Sequence, residues 1–333
     1  MSRLRIPTAL AAVLLATTVL VAGCDSGDDN GDGASAAARA APPASDFPAP
    51  NGRTLEQLVT GSASSRGPVV SPAAKVLNVG ENRFPFGVFT VEQEPITDAE
   101  VAIYAAPRGV KGPAEGPYPA RIESLETESA FRAESTAQDP DAAKVVYVSE
   151  VPLARPGKWA FAALIKEGDS YSGTLLPTPS LAGQFDPVGV GDQAPRVSTP
   201  TASDVAQISE IDTRVPPGTM HDEDLQDVLG KKPVVLLFAT PALCQSRICG
   251  PVVDIAEQVK RDHEGEDIAW IHQEIYNDND LQKGARPQVE AYRLPSEPWL
   301  YVIDRDGKVS TVIEGAFSVQ ELERAVQRVS APS

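Results

Sequence analysis

The chain has 333 residues, and its 46 acidic against 29 basic side chains give a formal net charge of −17. That surplus excludes nucleic acid as a partner, because phosphate contacts need basic patches. The length is enough for two folded domains.

In chain order, Arg3 and Arg5 precede an apolar run from Ala9 to Val21, which is followed by Val21-Ala22-Gly23-Cys24. A basic start, a short apolar core and small residues describe a secretory signal, too short for a stable span. No second apolar run reaches that length. The cysteine directly after the small residues resembles a bacterial lipobox. The resemblance implies a signal peptide over 1–23, cleavage before Cys24, and a lipid on its sulfur that holds the protein to the extracytoplasmic face of a bacterial membrane. The alternative is an ordinary signal peptide with an incidental cysteine. With Cys24 lipidated, two thiols remain, outside the cytoplasm where disulfides persist. Residues 24–72 are rich in Gly, Ala, Ser, Asp and Pro, which predicts a disordered tether, since such a segment buries too little surface to offset its ordering entropy.

Residues 73–184 read as β-structure. Val101, Ile103 and Ala105 alternate with their neighbours, as do Val146 and Val148, and Trp159, Phe161, Ala163 and Ile165 occupy every second position. Short alternating runs separated by turn residues such as Arg155-Pro156-Gly157 predict an antiparallel sandwich. The arrangement resembles the immunoglobulin-like modules of bacterial envelope proteins, implying an all-β domain for spacing or partner binding. Trp159, in an alternating strand, is expected in the core. A Gly- and Pro-bearing linker is expected over 185–200.

Residues 201–333 read as α/β. A short helix is predicted over 224–229, a buried strand over 233–239, a helix over 250–262 and a strand over 268–272. Strands over 299–303 and 309–313 flank the Asp306-Gly307 turn, and a helix closes the chain over 317–329. Between the first strand and its helix stands Cys244-Gln245-Ser246-Arg247-Ile248-Cys249, which holds every cysteine except Cys24. Strand, thiols and helix in this order resemble the active-site layout of the thioredoxin family. The resemblance implies a thioredoxin-like fold over 201–333 and thiol-disulfide exchange by Cys244 and Cys249, with protein thiols and disulfides of the cell envelope as partners. It also implies that Pro298, just before a strand, is the cis-proline that holds a substrate chain beside the thiols.

The spacing departs from the family's C-x-x-C. A disulfide needs Cα atoms within about 7 Å, whereas positions five apart on a regular helix lie roughly 8 to 9 Å apart. The segment 245–248 must therefore bulge or loop. Counted from the strand, Cys244 takes the place of the family's first cysteine; counted from the helix, Cys249-Gly250-Pro251-Val252 matches C-G-P-C with Val252 for the second. A thiol at a helix start is acidified by the unpaired amides there, which favours Cys249 as the more acidic of the two. Three further departures stand out. Val234–Phe238 offers no buried carboxylate, Leu243 replaces a tryptophan, and Glu297 precedes Pro298, where its charge opposes thiolate formation.

Three functions remain open on these residues. The first is an extracytoplasmic, lipid-anchored thiol-disulfide oxidoreductase. The second is a redox-inert binding or structural lipoprotein whose cysteines form a staple. The third is copper handling by the two thiols with His272, at the end of the neighbouring strand. The favoured reading assigns no cofactor and no resident metal.

Overall fold

The computed structural model describes Met1 and residues 37–62, 67–107, 109–176, 180–244 and 246–330. The chain divides into Met1–Ser35 and a compact unit, Ala36–Ser333, to which everything below refers. Cys24 and the rest of the sequence-predicted signal beyond Met1 lie outside the described residues.

The first elements are α1 (Leu55–Thr60), β1 (Val69–Pro72), β2 (Gly80–Phe89), β3 (Val101–Pro107), β4 (Glu115–Ser124), α2 (Glu134–Gln138), β5 (Val145–Leu153), β6 (Gly157–Glu167), β7 (Ser170–Leu175) and β8 (Ser180–Ala182). The strands form one antiparallel path, β1-β2-β5-β4-β3-β6-β7, with β8 also on β6. β4 joins its two halves: Glu115, Tyr118 and Pro119 pair with β3, and Ala120–Ser124 pair with β5. The halves face each other across an apolar core that holds Phe84, Phe86, Ile103, Trp159 and Phe161. The Phe84 and Phe161 rings meet at 4.9 Å.

The expected tether is corrected where it falls in the described residues. β3 and β6 carry apolar residues on both faces, so their outer face also needs cover. Ala102, Tyr104, Ala106, Ala160, Ala162 and Leu164 find it in Phe47, Leu55, Leu58 and Val59. The covering helix α1 starts with a capping box, Thr54 accepting from the Gln57 amide and Gln57 from the Thr54 amide. Tyr104 and Tyr171 donate to the Pro48 and Asp46 carbonyls at 2.8 and 2.6 Å, pinning the segment further. Residues 69–72 form a paired strand.

The α/β part contains α3 (Leu225–Val228), β9 (Val234–Phe238), α4 (Cys249–Asp262), β10 (Ala269–Gln273), α5 (Pro287–Ala291), β11 (Trp299–Ile303), β12 (Val309–Glu314) and α6 (Val319–Ser330). Its sheet runs β10-β9-β11-β12. β10 is parallel to β9, and β11 is antiparallel to both of its neighbours. This α/β unit is a βαβ followed by a hairpin and a helix, the element order expected from the sequence. β9 is a continuous apolar run because both its faces are covered: Val235 and Leu237 pack with α4 and α6, and Val234, Leu236 and Phe238 pack on the opposite side.

The stretch expected as a linker is packed. Val188 and Ala194 are buried. The amides of Val188, Gly191 and Ala194 donate to the carbonyls of Tyr292, Val309 and Gly307 at 3.2, 2.8 and 2.9 Å. Val146 and Val148, on the outer face of β5, share a core with α4 and α6. Beside that core, Glu321 of α6 accepts from Arg83 and Arg121, each at 2.8 Å. The β-rich region and the α/β region therefore form one body.

Candidate active site

β9 delivers the chain to Ala239 and Thr240, and the Thr240 carbonyl accepts the amides of Leu243 and Cys244 at 3.2 and 3.1 Å. This turn lifts Cys244 out of the sheet. Arg247 then takes a left-handed backbone conformation, φ 58°. After it α4 begins, with Ile248 as its cap and Cys249 as its first residue. The expected break in helical geometry between the cysteines is thus present, and Gln245 lies outside the described residues.

Both cysteines are free thiols, in unlike settings. Cys244 is 8% exposed and Cys249 fully buried. The Cys249 thiol donates to the Cys244 sulfur, which lies 3.3 Å from the Ser246 hydroxyl and receives the amides of Ile248 and Cys249. These amides are unpaired donors of the α4 start, where partial positive charge gathers. The Cys249 hydrogen bond most of all, then Ser246 and the amides, outweigh burial and bring Cys244 down to about 6. Cys249 is pushed well up by its burial, by its bond to Cys244, and by the charges of Cys244 and Glu297. The expectation that Cys249 is the more acidic thiol is therefore corrected. The helix start acts on the sulfur aimed at its amides, which belongs to the residue before the helix.

The bond before Pro298 is cis, in agreement with its sequence position. Trp299 pairs with Phe238, which sets Pro298 beside the end of β9. Glu297 lies inside the site. Its Oε1 accepts from the Tyr276 hydroxyl at 3.5 Å, and its Oε2 is buried without a hydrogen-bond partner. Burial first, then the charges of Cys244 and Glu274, push its carboxyl up to about 8. A buried carboxyl near the thiols is thus present, at the residue before Pro298 rather than on β9.

A cleft in front of Cys244 is lined by Pro241, Ala242 and Arg247 on one side and by Ser135, Thr136 and Asp139 of the β4–β5 connection on the other. Arg247 pairs with Asp139 at 3.0 Å, and the Ala143 amide donates to the Arg247 carbonyl at 3.2 Å. Sequence reasoning missed this wall, because nothing local links residues 135–143 to a motif a hundred positions later.

His272 does not turn to the thiols, which corrects the copper geometry. Its Nε2 lies 3.1 Å from the Ala239 carbonyl and its Nδ1 faces Asp212 at 3.7 Å. His263 lies between Glu266 and Glu323 at 2.9 and 3.0 Å. His221 pairs with Asp212 at 3.0 Å.

No family model and no curated protein matches the chain. Among solved structures, a putative thiol:disulfide interchange protein DsbE from Chlorobium tepidum is similar over 43% of this chain and 99% of its own, with 17% identity and a TM-score of 0.32. A thiol:disulfide interchange protein of the thioredoxin family from Chlorobium tepidum TLS gives the same coverages, 18% identity and a TM-score of 0.31.

Proposed function

We propose that the protein is a thiol-disulfide oxidoreductase with Cys244 as nucleophile and Cys249 as resolving thiol. The observation that carries this reading is the asymmetry of the pair. One sulfur belongs to a residue that lines a cleft and is surrounded by donors that stabilise its thiolate, and the other is fully buried with its thiol pushed well up. The Cys244 thiolate attacks one sulfur of a substrate disulfide, forming a mixed disulfide and expelling the other sulfur as a thiolate. That bond removes the negative charge from Cys244. Cys249 then gives its proton to the Glu297 carboxylate, whose charge is felt at Cys249, and attacks the Cys244 sulfur. The Cys244–Cys249 disulfide forms and the second substrate thiolate leaves. With a value near 8, Glu297 is matched to moving a proton near neutral pH. Pro298 and the cleft beside Cys244 hold the substrate segment, which is a protein chain bearing a thiol or disulfide.

Around this centre, the β-rich region is an immunoglobulin-like module. Its strand order, 1-2-5-4 on one half and 3-6-7 on the other, is that of a constant-type sandwich with β4 shared between the sheets. A lipid on Cys24 anchors the protein, which acts at the extracytoplasmic face of a bacterial membrane. Fractionation of cells carrying Cys24→Ser tests this location: the variant should lose membrane attachment, and unchanged attachment contradicts it.

Single cysteine replacements test the chemistry. Cys249→Ser should accumulate mixed disulfides with partner proteins and Cys244→Ser none. If neither variant traps a partner and the couple's potential lies below about −300 mV, the cysteines form an inert staple instead.

A further inference from the structure

A second group of donor atoms has no part in the thiol chemistry. Asp212, His221 and His272 each present one ligand atom, all within 4.8 Å of one another, and the three residues are 1%, 3% and 3% exposed. Asp212 and His221 belong to the irregular segment 199–222, which lies against the outer edge of β10. His272 belongs to β10, and its amide donates to the Met220 carbonyl at 2.9 Å.

The hydrogen bonds of this group leave one ring nitrogen of each histidine unpartnered, with His221 Nε2 3.0 Å from Asp212 Oδ2. A carbonyl only accepts, so His272 Nε2, 3.1 Å from the Ala239 oxygen, carries the proton, and Nδ1 of the neutral ring holds a lone pair. That Nδ1 is buried without a hydrogen-bond partner and faces Asp212 Oδ1 at 3.7 Å, too far for a good hydrogen bond. His221 Nδ1 is likewise buried and unpartnered. The Asp212 carboxylate is held in place by the amides of Arg214 and Gly218 at 2.8 and 2.7 Å. The Arg214 guanidinium does not compensate it, being committed to Asp254 and to the carbonyls of Pro216 and Phe131 at 2.9, 2.8 and 2.7 Å. Lone-pair atoms gathered in a dry site are costly without a cation among them.

The spacing suits a metal ion. Two ligands each about 2.1 Å from one ion stand about 3.0 to 3.6 Å apart for angles of 90° to 120°. His221 Nε2 stands 3.0 Å from Asp212 Oδ2 and His272 Nδ1 3.7 Å from Asp212 Oδ1; with one atom from each residue the set lies within 4.8 Å, so binding an ion draws these side chains closer together. We propose that Asp212, His221 and His272 bind one divalent first-row transition ion of the zinc class, which staples segment 199–222 to β10. Two imidazoles and one carboxylate suit zinc or its neighbours rather than calcium or magnesium, which take all-oxygen sites. Three protein ligands leave zinc's fourth position to a further donor, and the burial of all three side chains shields the site from bulk water. The site is tied to the base of the thiol turn through the hydrogen bond between His272 Nε2 and the Ala239 carbonyl.

Because thiols also bind zinc, the test uses the full chain with Cys24, Cys244 and Cys249 replaced by Ser. After exposure to Zn2+ and gel filtration, elemental analysis should find about one ion per chain, and added Zn2+ should raise Tm. His221→Ala and His272→Gln should each lower affinity at least 100-fold and abolish the Tm rise. Should either variant fail to fold, X-ray absorption of the zinc-loaded cysteine-free chain decides the question. A ligand set of two imidazoles with a carboxylate oxygen supports the site, and any other set contradicts it. Retention of no ion by the cysteine-free chain, or unchanged affinity in both folded histidine variants, overturns the proposal.

Discussion

The β-rich and α/β regions solve the same burial problem with different tolerance for unsatisfied polar groups. In the β-rich region, charged side chains meet partners: Arg121 alone reaches Glu123, Glu150 and Glu321 at 2.6, 2.6 and 2.8 Å. In the α/β region, buried side-chain atoms of His221, Thr240, His272, Gln273, Glu274, Gln288, Tyr292, Glu297 and Thr311 lack hydrogen-bond partners among the described residues. The one such atom in the β-rich region belongs to Thr136, which lines the cleft at Cys244. Buried polar groups in native proteins usually have a partner, and each exception has its own cause, such as a bound water, an ion or a catalytic role. The contrast separates a β-rich scaffold with nearly complete interactions from an α/β region where Glu297 at the thiols and His221 and His272 beside Asp212 are among the unpaired groups.

The largest expected effect breaks the site and spares the scaffold. Cys244→Ser should abolish disulfide exchange in a thiol-transfer assay, while the denaturation midpoint stays within the usual range of a conservative substitution. The reverse experiment is Phe161→Ala. It empties part of the β-rich core and should cost about 3–5 kcal/mol by denaturant titration, leaving the pH profile of Cys244 labelling unchanged in the fraction that remains folded. A profile that shifted would mean the regions are less separable than their hydrogen bonding implies.

Glu297→Gln sharpens the comparison from inside the site. Resolution of the mixed disulfide should slow by roughly 10²-fold in stopped-flow measurements, with the first attack by Cys244 little changed. The same variant has a pH signature. The Glu297 carboxyl rises from 4.5 to about 8 in the folded protein, so the folded state keeps a proton that the unfolded chain releases. Its stabilising contribution is full below pH 4.5 and is lost as pH rises to about 8. Denaturation at pH 5 and pH 8 should show the parent losing stability relative to Glu297→Gln across that window. The smallest effect concerns the contact between the regions. Arg121→Ala leaves Glu321 its bond to Arg83 and should cost about 1–2 kcal/mol, with thiol reactivity unaltered.

Much of the α/β region was legible because each element carries its own signal. The apolar run of β9, the spacing of Val252, Ile255 and Val259 in α4, and Asp306-Gly307 between β11 and β12 are local patterns, and each predicted element lies within a few residues of its expected span, whereas α5 was not expected. The tether was misread because composition concealed a short motif. Thr54-Leu55-Glu56-Gln57-Leu58-Val59 is a capping box with helically spaced apolar residues, set in a Pro- and Ala-rich stretch. Its partner, the outer face of β3 and β6, was visible only as apolar residues at positions that alternation assigns to solvent. The more acidic thiol was misjudged because a helix start acidifies whatever sulfur its amides point at, and sequence does not show that direction. Asp212 and His221 were not singled out together, since they meet His272 only when segment 199–222 lies along β10.

The pH dependence of thiol alkylation tests the asymmetry of the pair most directly. The reduced parent chain is treated with iodoacetamide between pH 4 and pH 10, and the label is located by mass spectrometry. Cys244 should react first, with a midpoint at about 6, and Cys249 should stay unlabelled while the protein is folded. Preferential labelling of Cys249, or a Cys244 midpoint near that of a free thiol, would contradict the assignment of nucleophile and resolving cysteine.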